Sequence, residues 1–231
     1  MKRPTIQRNN MRTDSASSAT DRAEALSIVP VSRETADLFD AYLGRLFKWQ
    51  KVVNLVSPST LPEAWTRHIA DSAQLAALAP AATSWIDLGS GAGFPGLVIA
   101  IMHRDTPGFR MHLVESNSRK CAFLRDVVRS LNLPVTVHDG RIEDIVAALD
   151  ERFDVVSARA LASLTELLGL SRKLLTSGAL GLFPKGQDVA DELTEAAKYW
   201  TFDASTVASR TDSKARIVLV REVRRKSLTA S

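Results

Sequence analysis

The segment DLGSGAGFPG, residues 87–96, places four glycines between an apolar run and a segment of helical character. Glycines at a junction between a strand and a helix let the backbone approach a bound ligand closely. The last three glycines fit the dinucleotide-binding pattern G-x-G-x-x-G, whereas Asp87, Gly89 and Gly91 begin a second pattern, acid-x-G-x-G-x-G. The spacing therefore predicts a site for a nucleoside-containing cofactor and leaves two classes of cofactor open.

Asp87 favours one of these two classes. A carboxylate beside the glycines would repel the pyrophosphate of a dinucleotide, because like charges at short range destabilise each other. S-adenosylmethionine has no phosphate and carries an α-ammonium and a sulfonium group, so the same carboxylate would attract its positive end. Pro95, which lacks an N–H, also fits the dinucleotide pattern poorly. We therefore expect S-adenosylmethionine and a methyltransferase, with an NAD-dependent oxidoreductase as the alternative.

Acids also stand at the ends of the next two predicted strands. Glu115 ends RMHLVES, where an acid can bind the ribose hydroxyls of an adenosine. NAD enzymes use the same interaction, so Glu115 indicates an adenosine without identifying the cofactor. The third strand is followed by GRIED, in which Ile142 and Glu143 could flank an adenine.

Cationic residues lie at the remaining strand ends and on a helix that precedes the glycines. Arg159 follows FDVVS, and Lys185 lies between a proline and a glycine. Both could face a phosphate-bearing substrate at the mouth of the cofactor site. In TRHIADS, Arg67 and His68 lie one helical turn before Asp71, a spacing that also fits an ordinary ion pair beside a half-buried histidine. His68 and Lys185 are the candidate catalytic side chains.

Six strand-like segments alternate with helical segments after residue 81, the pattern of βαβ units in a largely parallel sheet. The strand-like segments are SWIDLGS, RMHLVES, VTVHDG, FDVVSAR, GALGLFPKG and ARIVLVREV. Ligands of such sheets bind beyond the carboxyl ends of the strands. The sequence therefore predicts an α/β fold whose candidate site residues converge at one edge.

Three regions are predicted along the chain. Residues 1–30 are polar and Ser-rich, which predicts a disordered leader. Residues 31–80 have apolar residues at helical spacing and predict a helical piece, with a second helix from Leu61 to 79. Residues 81–231 are expected to form the cofactor-binding domain.

Composition excludes several classes of function. The 231 residues are 45% hydrophobic and 24% charged, and no apolar run approaches the roughly 18–20 residues of a membrane span. Cys121 is the only cysteine, so no intrachain disulfide or cysteine-rich zinc site can form. The net charge of +4 permits a polyanionic partner. We expect a cytoplasmic monomer without a bound metal.

Taken together, these motifs resemble the RsmG (GidB) family over about residues 35–222. The resemblance rests on NLVS, RHIADS, DLGSGAGFPGLVIAI, RIED, SARALASL and the KG pair at 185–186. It implies a Rossmann-like class I methyltransferase fold with an N-terminal helical extension. It further implies methyl transfer from S-adenosylmethionine to N7 of one guanine in the 16S rRNA of the small ribosomal subunit.

The resemblance also implies residue roles. The cofactor would be contacted by Gly89, Gly91, Phe94, Glu115, Ile142, Glu143 and Arg159. The RNA substrate would be contacted by Arg67, His68, Arg159 and Lys185.

Guanine N7 has a free lone pair and no proton to lose, so the predicted reaction needs no general base. The enzyme has to align the nucleophile, methyl group and leaving sulfur, which is catalysis by positioning. Phe94 and Trp65 are candidates for stacking on RNA bases, although either could equally belong to the core. A small-molecule methyltransferase and a non-enzymatic RNA-binding protein remain alternatives.

Overall fold

The computed structural model describes the backbone of residues 7–226 and the side chains of residues 18–226. Within that range, seven strands form one sheet in the order β3-β2-β1-β4-β5-β7-β6. The strands are β1 (Ser84–Leu88), β2 (Arg110–Glu115), β3 (Val135–Asp139), β4 (Val155–Ser157), β5 (Leu180–Lys185), β6 (Trp200–Ala208) and β7 (Arg216–Arg225).

The α-helices alternate with the strands from β1 onwards. In chain order they are α1 (Gln7–Ile28), α2 (Arg33–Trp49), α3 (Asp71–Ala73), α4 (Gly96–Met102), α5 (Ser118–Leu131), α6 (Ile142–Ala148), α7 (Leu164–Leu170), α8 (Arg172–Thr176) and α9 (Val189–Tyr199). A 3-10 helix (Pro58–Glu63) and a π-helix (Trp65–Ala70) precede α3, and a second 3-10 helix (Gln74–Leu78) follows it.

The sheet confirms the predicted α/β, Rossmann-like fold. Strands β1 to β5 run parallel, and β7 pairs antiparallel with both β5 and β6. The chain moves outwards from β1 to β2 and β3, then returns to the other side of β1 with β4. This reversal opens a crevice at the carboxyl end of β1, where ligands of such sheets bind.

Alternate residues of β1 pack into two separate cores. Trp85 lies in one core with Phe39 of α2 and Phe123 of α5, and Ile86 lies in the other with Phe183 of β5. Strands buried on both faces are largely apolar, and β1 is buried at all five positions. Because the front helices share a core with one face of the sheet, they hold a fixed position beside the glycine loop. The predicted domain boundary at residue 80 stays a prediction.

The structure differs from the disordered leader predicted over residues 1–30 in that helix α1 spans Gln7–Ile28; residues 1–6 lie outside the described part, and the leader as a separate region stays a prediction. Both carboxylate oxygens of Asp21 accept hydrogen bonds from the π-helix, from the backbone N–H groups of Trp65 (2.8 Å) and Thr66 (3.1 Å). These contacts span more than 40 positions of sequence, so the polar composition of α1 did not reveal them.

Three other elements differ from the sequence-based expectation. The helix predicted from Leu61 to 79 is divided into π, α and 3-10 segments. The helix predicted over SLTELLGLSRKLL breaks at Ser171, whose hydroxyl donates to the carbonyl of Leu167. Strand β6 was not predicted, because its outer face carries small polar residues and it lies at the edge of the sheet.

Among the described residues, no helix is both long and apolar enough to cross a membrane.

Candidate functional site

The glycine loop connects β1 to α4 at the crevice and bends through left-handed backbone conformations. Gly89 has φ +64° and Gly91 has φ +56°, values that side chains rarely tolerate. A Cβ atom on Gly89 would lie 2.5 Å from a methyl group of Leu161. The loop therefore needs glycine for both its turn and its close packing, and it exposes backbone to the cavity above it.

Asp87 lies beneath this loop and not in the cavity. Its side chain is fully buried, and its carboxylate accepts from the hydroxyl of Ser157 (2.8 Å) and the N–H of Gly96 (3.3 Å). Burial raises the pKa of this carboxyl from 3.8 to about 6, against the opposing effect of the hydrogen bonds. Asp87 does not line the cavity above the loop, and it fixes the start of α4 and the end of β4; that its charge favours the cofactor's positive end stays a prediction.

A cavity of about 630 Å³ lies above the loop, which we call the first cavity. Glu115, at the end of β2, lines it and accepts from the N–H groups of Gly91 (2.8 Å) and Asn117 (2.8 Å). Each carboxylate oxygen has a second lone pair, so Glu115 can still accept from a ligand. Of the predicted cofactor residues, the first cavity brings together Gly89, Gly91, Phe94, Glu115, Ile142, Glu143 and Arg159.

Arg159 connects the end of β4 to the front helices. Its Nη1 donates to a carboxylate oxygen of Asp71 (3.0 Å) and to the carbonyl of Arg67 (3.0 Å), and its Nη2 donates to Nδ1 of His68 (3.0 Å). The guanidinium also lies 5.1 Å from the ring centre of Phe94. Arg159 and Asp71 are therefore paired across the chain, and Asp71 does not form the intrahelical pair with Arg67 that the spacing suggested.

His68 is held as a neutral ring between two partners. Arg159 can only donate, so Nδ1 of His68 accepts, and Nε2–H donates to the hydroxyl of Thr60 (2.8 Å). That hydroxyl donates in turn to the carbonyl of Ser57. Burial, followed by the charges of Arg159 and Arg67, lowers the pKa of His68 to about 3. Both ring nitrogens of His68 are therefore engaged in hydrogen bonds within the protein.

Phe94 and Trp65 are core residues, exposing 4% and 3% of their surfaces. Phe94 packs against the rings of His68 (4.8 Å between centroids) and Tyr42 (5.2 Å). Trp65 packs edge-on against Phe39. The structure therefore does not support the suggestion that either ring stacks on an unpaired RNA base, because neither presents a free face.

A second cavity of about 490 Å³ adjoins the first and is lined by Arg67, Lys185 and residues from the β6–β7 turn. Lys185 is buried at the end of β5, where Nζ donates to the carbonyl of Ala162 (2.7 Å) and to Glu192 (2.8 Å). The ends of β4 and β5 thus bring Arg159 and Lys185 to the same cavity; that they face a phosphate-bearing substrate there stays a prediction. Glu192 was missed, because an acid in the first turn of α9 looks like an ordinary solvated residue.

Asp71 and Gln74 hold the β6–β7 turn against the front helices. Asp71 accepts from the hydroxyl of Thr211 (2.8 Å) through the oxygen that does not bind Arg159. Gln74 donates to Ser209 (3.2 Å) and accepts from the N–H of Arg210 (2.9 Å). The partners lie about 140 residues apart in sequence, so no local pattern could have revealed this wall of the second cavity.

The described side chains were also compared with the arrangement that a metal ion needs. Across residues 18–226, no group of three or more histidine, cysteine or acidic side chains has the arrangement of a metal site.

A sheet that reverses at β1, with a glycine loop after β1 and an acid ending β2, places the chain in the Rossmann-like class. Its fold is that of class I methyltransferases. An O-methyltransferase from Bacillus cereus, solved in complex with SAH, superposes with a TM-score of 0.58 at 15% identity, covering 90% of this chain and 100% of that one. A structure described as a putative O-methyltransferase from Klebsiella pneumoniae gives a TM-score of 0.56 at 14% identity, covering 91% and 99%.

The sequence comparisons are more specific. The GidB family, described as rRNA small subunit methyltransferase G, matches residues 35–220. A ribosomal RNA small subunit methyltransferase G from Methylorubrum extorquens is 54% identical over 204 residues, covering 88% of this chain and 96% of that protein. Another from a Bradyrhizobium species is 50% identical, covering 90% and 94%. The chain belongs to the GidB family and is a methyltransferase of small-subunit ribosomal RNA, which confirms the resemblance seen in its motifs.

Proposed function

We propose that this chain transfers a methyl group from S-adenosylmethionine to N7 of one guanine in 16S rRNA. The observation that carries the proposal is the pair of adjoining cavities, which share a wall containing His68 and Arg159. The first cavity has the features of a nucleoside site, and the second is lined by both cationic and acidic side chains. A methyl donor in one and a base in the other would meet at the shared wall.

The residues of the first cavity fit S-adenosylmethionine. A volume of about 630 Å³ is within the range of small-molecule sites. Glu115 has free lone pairs for the ribose hydroxyls, and Ile142 offers an apolar surface beside Glu143 for the adenine. The glycine loop passes close beneath, and Arg159 lies at the border with the second cavity. Bound there, S-adenosylmethionine supplies an electrophilic methyl group on a sulfonium.

The chain's own residues then have to orient the base and exclude water. His68 cannot act as a base, because its lone pair accepts from Arg159 and its pKa is lowered to about 3. This agrees with attack by N7, which has no proton to remove. Arg159 is fixed by three hydrogen bonds and lines both cavities, so it would orient the reactants without moving a proton.

The rim of the second cavity is suited to RNA phosphates. Arg67 lines the second cavity, and Arg210 and Lys214 lie in the β6–β7 turn, whose neighbouring residues line it. All three are exposed, and across residues 18–226 none of them has a carboxylate within ion-pair distance. Cations that lack an internal partner can neutralise phosphates, which positions an RNA without reading its sequence.

The proposal is tested by mapping the methylated nucleotide. Small subunits and naked 16S rRNA from a strain lacking the gene are incubated with the purified protein and methyl-labelled S-adenosylmethionine, beside a metabolite extract. We expect label in one guanine of 16S rRNA, at a position that becomes sensitive to the borohydride and aniline cleavage specific for 7-methylguanosine. Label confined to metabolites, or RNA labelled at another atom, would contradict the proposal.

A further inference from the structure

The residues that line the second cavity fall into two groups. Four residues, Thr60, His68, Arg159 and Ala160, also line the first cavity and therefore form the shared wall. Lys185 and Glu192 belong to the second cavity alone. A flat group inserted there would have one edge at the shared wall and could present another edge to this half-buried ion pair.

We propose that the second cavity receives the target guanine and that Glu192 recognises it by accepting a hydrogen bond from the exocyclic N2 amino group. This inference rests on the proposed function, because N7 must face the shared wall for the methyl group to reach it. The amino group on C2 lies on the side of the purine opposite N7. It therefore points away from the shared wall, towards the residues that belong to the second cavity alone.

The Glu192 carboxylate has one oxygen free for this role. Its Oε2 accepts from Nζ of Lys185 (2.8 Å) and from the N–H of Leu164 (2.6 Å). In the part of the chain whose side chains are described, Oε1 accepts no hydrogen bond from any group. The side chain is 27% exposed, so water or a ligand can reach it. An oxygen fixed in this way can accept a donor without reorganising.

The same geometry discriminates against adenine. Adenine placed with N7 at the shared wall carries a C–H group at C2 in place of the amino group. Its neighbouring N1 is an acceptor where guanine N1 is a donor. The carboxylate of Glu192 would then face the N1 lone pair and the C2–H group of adenine, and it would have no hydrogen bond to accept from the base. Enzymes that act on an extruded base commonly read its Watson–Crick edge in this way.

The substitution Glu192→Gln tests the role of the free oxygen Oε1. The carbonyl oxygen of glutamine has to accept from Lys185 and Leu164, which are both donors, so the NH₂ group takes the place of Oε1. It then presents a donor to the donor of the base. We expect kcat/KM for the RNA substrate to fall about 10- to 100-fold, the range for losing a hydrogen bond to a charged group. S-adenosylhomocysteine affinity should not change, because Glu192 does not line the first cavity.

The experiment combines this variant with inosine, which lacks only the N2 amino group. The guanine identified by the mapping is replaced by inosine in 16S rRNA that is then assembled into small subunits. Wild type and E192Q are each assayed on both particles. The matched control is Glu195→Gln, which removes an exposed acid of the same helix that, among residues 18–226, pairs only with Lys198.

The wild type and E195Q should lose about tenfold in kcat/KM on inosine, whereas E192Q should methylate the inosine particle at least as fast as the guanosine particle, because inosine lacks the N2 donor that the glutamine NH₂ group would face. An equal loss in wild type and E192Q, or no loss in wild type, would overturn the inference while leaving the proposed function intact. If the mapping experiment found no methylation at guanine N7, both the proposed function and this inference would be contradicted. If E192Q binds S-adenosylhomocysteine more weakly than wild type, Glu192→Asp replaces it in the same cycle.

Discussion

Asp87→Asn should change the pH dependence of stability by an amount that follows from the buried position of Asp87. The pKa of its carboxyl is 3.8 in a model compound and about 6 in the fold, a difference equivalent to ~3 kcal/mol. Between these two values the native state binds a proton that the unfolded state has released. The free energy of unfolding therefore falls as pH rises through this window, and the contribution of the protonated carboxyl is lost above about pH 6.

Asparagine has no such dependence, and it can retain both hydrogen bonds: its oxygen accepts from Gly96, and its NH₂ group donates to Ser157. The difference in free energy of unfolding between D87N and wild type should therefore rise in favour of the variant, by up to ~3 kcal/mol from about pH 4 to about pH 7. Other titrating groups, such as His68, are common to both proteins and cancel in the difference.

The assay is urea denaturation of both proteins across this pH range, with Asp105→Asn, an exposed acid, as the control. The control should differ from wild type by a constant. A D87N difference that is flat with pH, or that declines as pH rises, would refute the account of Asp87 as a buried carboxyl that fixes the loop from below.

Three further predictions concern the residues that shape the site. Arg159→Ala should reduce methyl incorporation into 16S rRNA about 100-fold or more while circular dichroism shows the fold retained; wild-type turnover would exclude the assigned role. Gly89→Ala should destabilise the protein by about 1–2 kcal/mol, because its backbone is left-handed, and should weaken S-adenosylhomocysteine binding in a calorimetric titration; unchanged binding would argue against close backbone approach. Asp21→Ala should cost about 1 kcal/mol and speed hydrogen exchange at the amides of Trp65 and Thr66, whereas unchanged exchange there would contradict the capping role.

Sequence patterns predicted the elements whose cause is local. The apolar runs of β1 to β5 and β7, and the helical spacing in α2, gave the correct kinds of element. The glycine pattern placed the cavity, because glycine's freedom at positive φ depends on the residue itself. Glu115 and Arg159 were predicted to lie at the same edge of the sheet, because the carboxyl ends of parallel strands meet there.

What the sequence did not predict depends on contacts between distant residues. Asp87 was expected to face a ligand, but a carboxylate inside a buried strand can be satisfied by Ser157 and Gly96 beneath the loop. Helix α1 is polar and would not be expected to be stable alone. Its residue Asp21 fixes it to the rest of the protein by accepting hydrogen bonds from the first backbone N–H groups of the π-helix. Glu192 resembled a solvated acid until the fold placed Lys185 beside it. Such pairings depend on tertiary structure and leave no periodic signal.

The most direct test of the account is a crystal structure of the protein grown with both S-adenosylhomocysteine and NAD. We predict S-adenosylhomocysteine in the first cavity, with its ribose hydroxyls on Glu115, its adenine beside Ile142 and its sulfur facing the wall formed by His68 and Arg159. NAD in that cavity with its pyrophosphate on the glycine loop, or S-adenosylhomocysteine bound elsewhere, would contradict it.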